Sequence, residues 1–259
     1  MNKFQRITSI RDYLKTHPTS SINEIALHFN VSEMTIRRDL KIFKDNNIIK
    51  IAHGIVHYNS DENPLSLQEN QYELYQASIS QSPEKSRIGK FAASLVQPDD
   101  VIFIDAGSTT LYMATYIPKN IPYTVFCYSA NTMFQLKKNE NIKLTLLGGL
   151  YHQNTEMFDC QGCIEYFKKS RIGKAFVSAA GIHATLGVTA SNQYEILPRQ
   201  TAIDSAAEKY LLVDSSKFDK VQSYLIADIS RFNAVITDKN ISEEWVQRLT
   251  DMNIKCYRV

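Results

Sequence analysis

The sequence predicts two domains of different class: a small winged helix-turn-helix, followed by a larger, mainly parallel α/β sheet of the Rossmann-like kind. Three observations predict it. Residues 1–58 read as helix, helix, short turn, helix and then two short β runs about a glycine. From Glu84 onward, short and nearly continuous apolar runs alternate with helical segments, the pattern of a sheet covered on both faces. Between them, NSDENPLSLQENQYELYQASISQSP is polar and almost free of aliphatic periodicity, apart from one short helix expected at Leu67–Leu74. The expected domains are therefore 1–58 and 84–259, with 59–83 as a linker, and a chain of 259 residues accommodates both.

Phe4, Ile7, Ile10 and Leu14 recur at helical spacing and define a first helix, ended at Thr16-His17-Pro18. Ser20 or Ser21 caps a second, Ile22–Phe29, with Glu24 as capping-box partner to Ser21 and Ile25, Ala26 and Phe29 as its buried face. After the turn at Asn30-Val31, VSEMTIRRDL opens a third helix, Ser32–Asp45, with Ser32 as N-cap. Ile36, Leu40 and Phe43 share one face of it, and Met34, Arg38 and Lys41 point the other way with Thr35 and Arg37 on the flanks. An apolar back and a face of donors is what a helix lying in a DNA major groove needs. Taken alone the segment fits an ordinary surface helix equally well, but the elements around it agree on recognition. Ile48–Ile51 and Ile55–Tyr58 flank Ala52-His53-Gly54 as a β-hairpin wing, placing Lys50 and His53 near backbone phosphate.

In the second domain, strands are expected at Val101–Ile104, Tyr123–Cys127, Lys143–Leu147, Ala175–Ser178, Lys209–Val213 and Ala234–Thr237. Helices are expected at Glu84–Val96, from Ser108, at Ala130–Lys138, and at 158–168, 195–207 and 242–252. Pro198 fits the 195–207 helix if that helix starts near Leu197.

Charge is unevenly shared. Residues 1–58 carry nine Lys/Arg against five Asp/Glu, a net +4, so with an overall +2 the remainder stands at −2. A basic head on a slightly acidic body suggests a polyanionic partner for the head alone. No apolar run approaches a membrane span and the N-terminus reads as an amphipathic helix, so a soluble, cytoplasmic protein is expected. Cys127, Cys160, Cys163 and Cys256 do not make a disulfide framework, and the single Cys160-x-x-Cys163 pair lacks a second ligand pair. Neither a metal nor a cofactor is expected.

In open α/β sheets ligands bind at the carboxyl ends of the strands. There, Asp105-Ala106-Gly107-Ser108-Thr109-Thr110 joins a strand to a helix, with a glycine for close approach and hydroxyls and helix N–H groups for an anion. It is not a Walker A, since no GK[ST] follows. Phosphate binding and plain helix capping explain this loop equally. Tyr128 and Ser129, Gly148 and Gly149, Gly181, and Lys217 in Asp214-Ser215-Ser216-Lys217 fall at other strand ends and add weight to a ligand site. The competing reading is an enzyme, a sugar-phosphate isomerase or hydrolase carrying a DNA-binding head. In it Asp105, Glu195 and Lys217 would act as acid, base and electrophile.

VSEMTIRRDL, DAGSTT, LLGG, AFVSAAGI, VDSSKF and VITD occur in this order along nearly the whole chain, which thereby resembles the DeoR family of bacterial transcription regulators. The resemblance implies a homo-oligomeric repressor with a sugar-phosphate sensor similar in fold to ribose-phosphate isomerases and coenzyme A transferases. Asp105, Gly107, Ser108, Thr109 and Thr110 would form the sugar-phosphate loop and Lys217 a ligand contact. IPYTVFCYSANT and PDDVIFIDAGSTT resemble one branch of the family, for which the inducer would be deoxyribose 5-phosphate. Asp105→Asn would then leave DNA binding intact and blunt induction. Ala52-His53-Gly54 departs from the His-Gly-Gly usual in the family's wing.

Overall fold

The computed structural model describes residues 6, 9–10, 13–14, 16–45, 49–52, 54–58, 80–159 and 164–259. The chain divides into two compact units, 1–70 and 71–259.

In the first unit, the described residues before Thr16 are helical, and Ile10 and Leu14 are fully buried. Phe4, Ile7, the 59–79 stretch with its expected short helix, and His53 lie outside the described residues. Helix α1 (Ile22–His28) starts on the expected capping box: Ser21 Oγ accepts from Glu24 N at 3.1 Å, and Glu24 Oε2 accepts from Ser21 N at 2.7 Å. Those two bonds hold the Glu24 carboxyl below its ordinary pKa. Helix α2 (Glu33–Asp45) buries Ile36, Leu40 and Phe43. Strands β2 (Ile49–Ala52) and β3 (Ile55–Tyr58) form the expected hairpin. Ala52 pairs with Ile55, so two residues close it, and Gly54 takes a left-handed φ of 79° that a side chain would resist. One strand went unread. β1 (Thr19–Ser21) pairs with β3 and completes a three-stranded sheet. Three residues are too few to show a period, so only the pairing reveals it.

The second unit is built on seven parallel strands: β4 (Val101–Ile104), β5 (Tyr123–Cys127), β6 (Ile142–Leu146), β9 (Ile172–Ser178), β12 (Ala206–Leu212), β14 (Ala234–Thr237) and β15 (Lys255–Arg258). Their order is β15-β14-β12-β9-β4-β5-β6, every pair parallel. Alternate residues feed two cores, one on each face. Phe103, Ala175, Val177, Leu211 and Val235 face one side, and Ile102, Ile104, Phe176, Leu212 and Ile236 the other. Helices α3 (Ser82–Ser94), α4 (Ser108–Tyr116), α5 (Ala130–Leu136), α6 (Ile164–Lys169), α7 (Ile196–Ser205) and α8 (Glu243–Asp251) connect them.

Two of the expected helices are corrected. The one placed at 158–168 gives way to a hairpin of β7 (Leu150–His152) and β8 (Met157–Asp159), with α6 starting only at Ile164. The one placed at 195–207 stops at Ser205 because Ala206 already pairs with Ile172 in the sheet. Pro198 sits in the first turn of α7, where no intrahelical N–H is lost. A further three-stranded antiparallel sheet joins β10 (Gly181–His183), β11 (Gly187–Ala190) and β13 (Tyr224–Ala227). Like β15, these strands were not anticipated from the sequence; their pairing reveals them.

Candidate functional site

In the head, α2 presents Met34, Arg37, Arg38 and Lys41 to solvent, with Met34 69% exposed and Thr35 half-buried. Ser32 Oγ accepts from Thr35 N at 3.3 Å and lies 3.0 Å from Thr35 Oγ1, so the helix start is fixed. Asp39 does not join this face. It is 1% exposed and accepts from Arg6 Nε at 2.7 Å, which anchors the first helix to α2 and removes a negative charge from the exposed side. Arg37 pairs with Glu33 at 3.3 Å, but both are about half exposed, so the pair holds the guanidinium weakly and a phosphate can displace it. Lys50 is exposed on β2.

In the second unit the sheet order fixes one special place. From β4 the chain runs outward through β5 and β6, then returns to the other side of β4 with β9 and continues through β12, β14 and β15. The strand order therefore reverses between β4 and β9, and in open parallel sheets the crevice for ligands lies beyond the carboxyl ends at such a point. A small polar cleft is found there, lined by Ser108, Thr109, Ser178, Ala179, Ala180, Glu195, Arg199 and Lys217.

Below the cleft lies a buried ionic cluster. Asp105, fully buried, accepts from Ser178 N (2.8 Å), Ser178 Oγ (3.0 Å), Ala106 N (2.7 Å) and the Tyr128 hydroxyl. Arg199 Nε donates to both of its oxygens, at 2.9 and 3.1 Å. Arg199 Nη1 lies 2.6 Å from Glu195 Oε2, and Glu195 Oε1 accepts from Asn192 Nδ2 at 2.5 Å. The Nη1 contact is an ion pair whose N–H directions do not make a hydrogen bond, so among the described residues this buried nitrogen keeps unused donor capacity at the cleft wall. Burial opposes the Arg199 charge, yet Asp105 and Glu195 outweigh it and hold the guanidinium protonated well above its ordinary range. Burial, and then the Asp105 charge, push the Tyr128 phenol well up, so it stays a neutral donor.

The expected ligand residues divide accordingly. Ser108, Thr109 and Lys217 line the cleft. Asp105 lies beneath it, its carboxylate held by the cluster; because an amide cannot accept all these donors, Asp105→Asn is expected to cost stability as well as to blunt induction. Thr110 Oγ1 is turned into the loop, accepting from Gly107 N and bonding the carbonyls of Asp105 and Gly107. Tyr128 faces Asp105, and Ser129 caps α5 by accepting from Thr132 N. Gly148 and Gly149 follow β6, the far edge strand. Gly181 begins β10, where an added Cβ would stand 2.5 Å from the Lys220 carbonyl. None of these lines the cleft.

Gly107 matters for a packing reason. A Cβ there would sit 1.8 Å from Ser178 Oγ and 2.6 Å from its Cβ. Gly107→Ala is therefore expected to destabilise the second unit by about 1–3 kcal/mol in urea unfolding, with Ser178→Gly in the same chain restoring much of the loss. No recovery in the double variant would show that the clash is not the cause.

Arg199, Ser178 and the Ala179-Ala180 turn complete the site, and Arg199 was not anticipated. Its signal was present: Glu195 and Arg199 are four apart, an ion-pair spacing, in an otherwise largely uncharged segment, ILPRQTAI. The Lys217 turn is fixed from two sides. Asp214 Oδ1 accepts from Ser216 N and Oγ, and Asp238 Oδ2 accepts from Ser215 N at 2.6 Å.

Residues 80–239 match the family described as "DeoR C terminal sensor domain", and residues 6–62 match "DeoR-like helix-turn-helix domain". The chain belongs to the DeoR family. Among DeoR-family relatives, the deoxyribose operon repressor of Escherichia coli K12 is 33% identical over 97% of this chain and 96% of its own length. The lactose phosphotransferase system repressor of Lactococcus lactis is 32% identical over 96% of each. Among solved structures, ribose 5-phosphate isomerase A of Methanocaldococcus jannaschii is similar at a TM-score of 0.40, with 19% identity over 54% of this chain and 55% of that one. A likeness at that level says nothing about the chemistry of the DeoR-family sensor. Among the described residues there is no group of three metal-ligating side chains, and no helix is long and apolar enough to cross a membrane.

Proposed function

We propose that this DeoR-family protein is a transcriptional repressor of a sugar or nucleoside catabolic operon, that α2 reads its operator, and that a phosphorylated sugar bound in the cleft releases it. The observation that carries the sensor reading is the cleft at the β4/β9 reversal, where the start of α4 and Lys217 meet. The first amides of a helix have no intrahelical partner and favour an anion. The polarity of the ligand follows from charge. Asp105, Glu195 and Arg199 together carry one net negative charge, so Arg199 cannot hold a phosphate alone. Lys217, half-buried and without an ion-pair partner among the described residues, is the spare cation. The phosphate belongs at Ser108, Thr109 and Lys217, and the sugar hydroxyls belong at Glu195 and Arg199. The name of the Escherichia coli relative, a deoxyribose operon repressor, makes deoxyribose 5-phosphate the first inducer to try.

The enzyme reading is less well supported. It needs Asp105 as a proton-transfer group, and that carboxylate is fully buried and occupied by five donor groups.

The test is fluorescence-anisotropy binding to DNA from upstream of the protein's own gene neighbourhood, at fixed salt, with a panel of pentose and hexose phosphates. Specific binding released by one of them supports the proposal. Absence of specific binding, together with turnover of a pentose phosphate, would replace it with the enzyme. Arg38→Ala is expected to weaken operator binding by about 1–3 kcal/mol, with specificity relaxed at one base pair. An unchanged footprint and affinity would remove α2 from the groove. Met34, exposed beside it, offers the apolar contact that suits a thymine methyl.

A further inference from the structure

One buried charge in the second unit belongs to neither the cleft nor its ionic cluster. Lys85, in the first turn of α3, is 1% exposed. An ammonium is poorly placed there, since a helix N-terminus disfavours positive charge and burial disfavours it again. Among the described contacts, two partners hold it. Nζ donates to the Ser80 carbonyl at 2.7 Å and lies 3.6 Å from Asp214 Oδ2, itself 1% exposed. These partners come from distant parts of the chain. Ser80 is the first described residue after the stretch that leads, in sequence, from the winged head. Asp214 opens the turn that carries Lys217, and its other oxygen holds that turn through Ser216.

The entry into α3 is unusual in a second way. Its N-cap, Gln81, has a left-handed φ of 53° and makes no side-chain cap. A non-glycine residue stays in that region only when its surroundings over-determine it. The Lys85 side chain folding back onto the Ser80 carbonyl is such a constraint.

We propose that Lys85 couples the effector cleft to the chain leading to the DNA-binding head. It shares its charge between the cleft-bearing turn, through Asp214, and the backbone at Ser80. When an anion draws Lys217 toward it, the turn and Asp214 shift together, and the ammonium redistributes between its two partners. The left-handed entry at Gln81 then gains or loses its clamp, which gives effector binding a differential interaction with two arrangements of the 80–85 segment. Removing the ammonium strands the buried Asp214 carboxylate and costs stability; only a charge links the two partners. This inference rests on the sugar-phosphate reading of the cleft.

The test compares full-length wild type with Lys85→Met. Operator affinity is measured with and without saturating deoxyribose 5-phosphate, and direct binding of that sugar phosphate is measured by calorimetry. If another sugar phosphate releases the wild type, that one is used. In the wild type the effector should lower operator affinity by about tenfold or more. In Lys85→Met both separate affinities should stay within about threefold, while the effect of one on the other falls below about twofold. A variant released as well as the wild type overturns the coupling and leaves the sensor reading standing. A wild type released by no sugar phosphate overturns the sensor reading, and the coupling with it. Should Lys85→Met fail to fold, hydrogen exchange on the wild type decides. Effector binding should change protection of the amides at 82–88 by about tenfold, and unchanged protection there overturns the proposal.

Discussion

Arg199→Met is expected to destabilise the second unit by about 3–5 kcal/mol, the largest loss of any single substitution at the site. The side chains are similar in length, so the cavity term is small and the loss is electrostatic. Asp105 is fully buried and Glu195 is 3% exposed, and the guanidinium is the only cation in contact with either among the described residues. Removing it leaves two carboxylates in a medium that solvates them poorly, and stripping one partner from a buried pair is the expensive direction. Urea unfolding of the full chain checks this, with the second transition followed separately if the two units unfold apart. Adding Asp105→Asn to Arg199→Met should cost much less than the sum of the single losses, because each change removes the other's reason to matter. A single-variant loss below about 1 kcal/mol, within the range of ordinary surface changes, would mean that the carboxylates are held by the Ser178 and Tyr128 donors without the cation.

Lys217→Met is expected to do the opposite. Stability should change by less than about 0.5 kcal/mol, because the ammonium is half-buried and no described carboxylate depends on it. Affinity for a sugar phosphate should fall by about 10- to 100-fold, the equivalent of one charged hydrogen bond to phosphate. Operator affinity without effector should be unchanged, since the substitution lies in the other unit. Calorimetry with the inducing sugar phosphate, run beside anisotropy on operator DNA, separates these effects. Undiminished binding of the sugar phosphate would move the phosphate away from Lys217 and would leave the Ser108–Thr109 helix start as its only support.

The contrast between these two variants shows which parts of the site were readable in advance. Lys217 and the Ser108-Thr109 pair follow strands and precede helical turns, and both signals are local: an apolar run ends and small hydroxyl residues begin. Asp105 has the same local signal, yet its carboxylate is turned to protein donors. Whether a carboxylate at a strand end faces a ligand or the protein depends on what arrives opposite it. Here a guanidinium 94 positions away does. The same dependence holds in the head, where Asp39 is buried against Arg6, 33 positions earlier.

By itself the sequence determined the elements marked by a local pattern of neighbouring residues. These are helix α2 with its buried Ile36, Leu40 and Phe43, the Ser21–Glu24 capping box, strands β4, β5 and β14 at their observed bounds, and a parallel α/β sheet following a winged head in the sequence. Periodicity and capping are properties of neighbouring residues, so they survive in one dimension. Tertiary structure alone decided the order β15-β14-β12-β9-β4-β5-β6, and therefore that β4 and β9 flank the cleft. It alone decided that Asp105 supports the site from beneath, that Arg199 belongs to it, and that Lys85 bridges Ser80 and Asp214. Strand order and the partners of buried charges are set by which distant segments share one interior, and no local pattern carries that information.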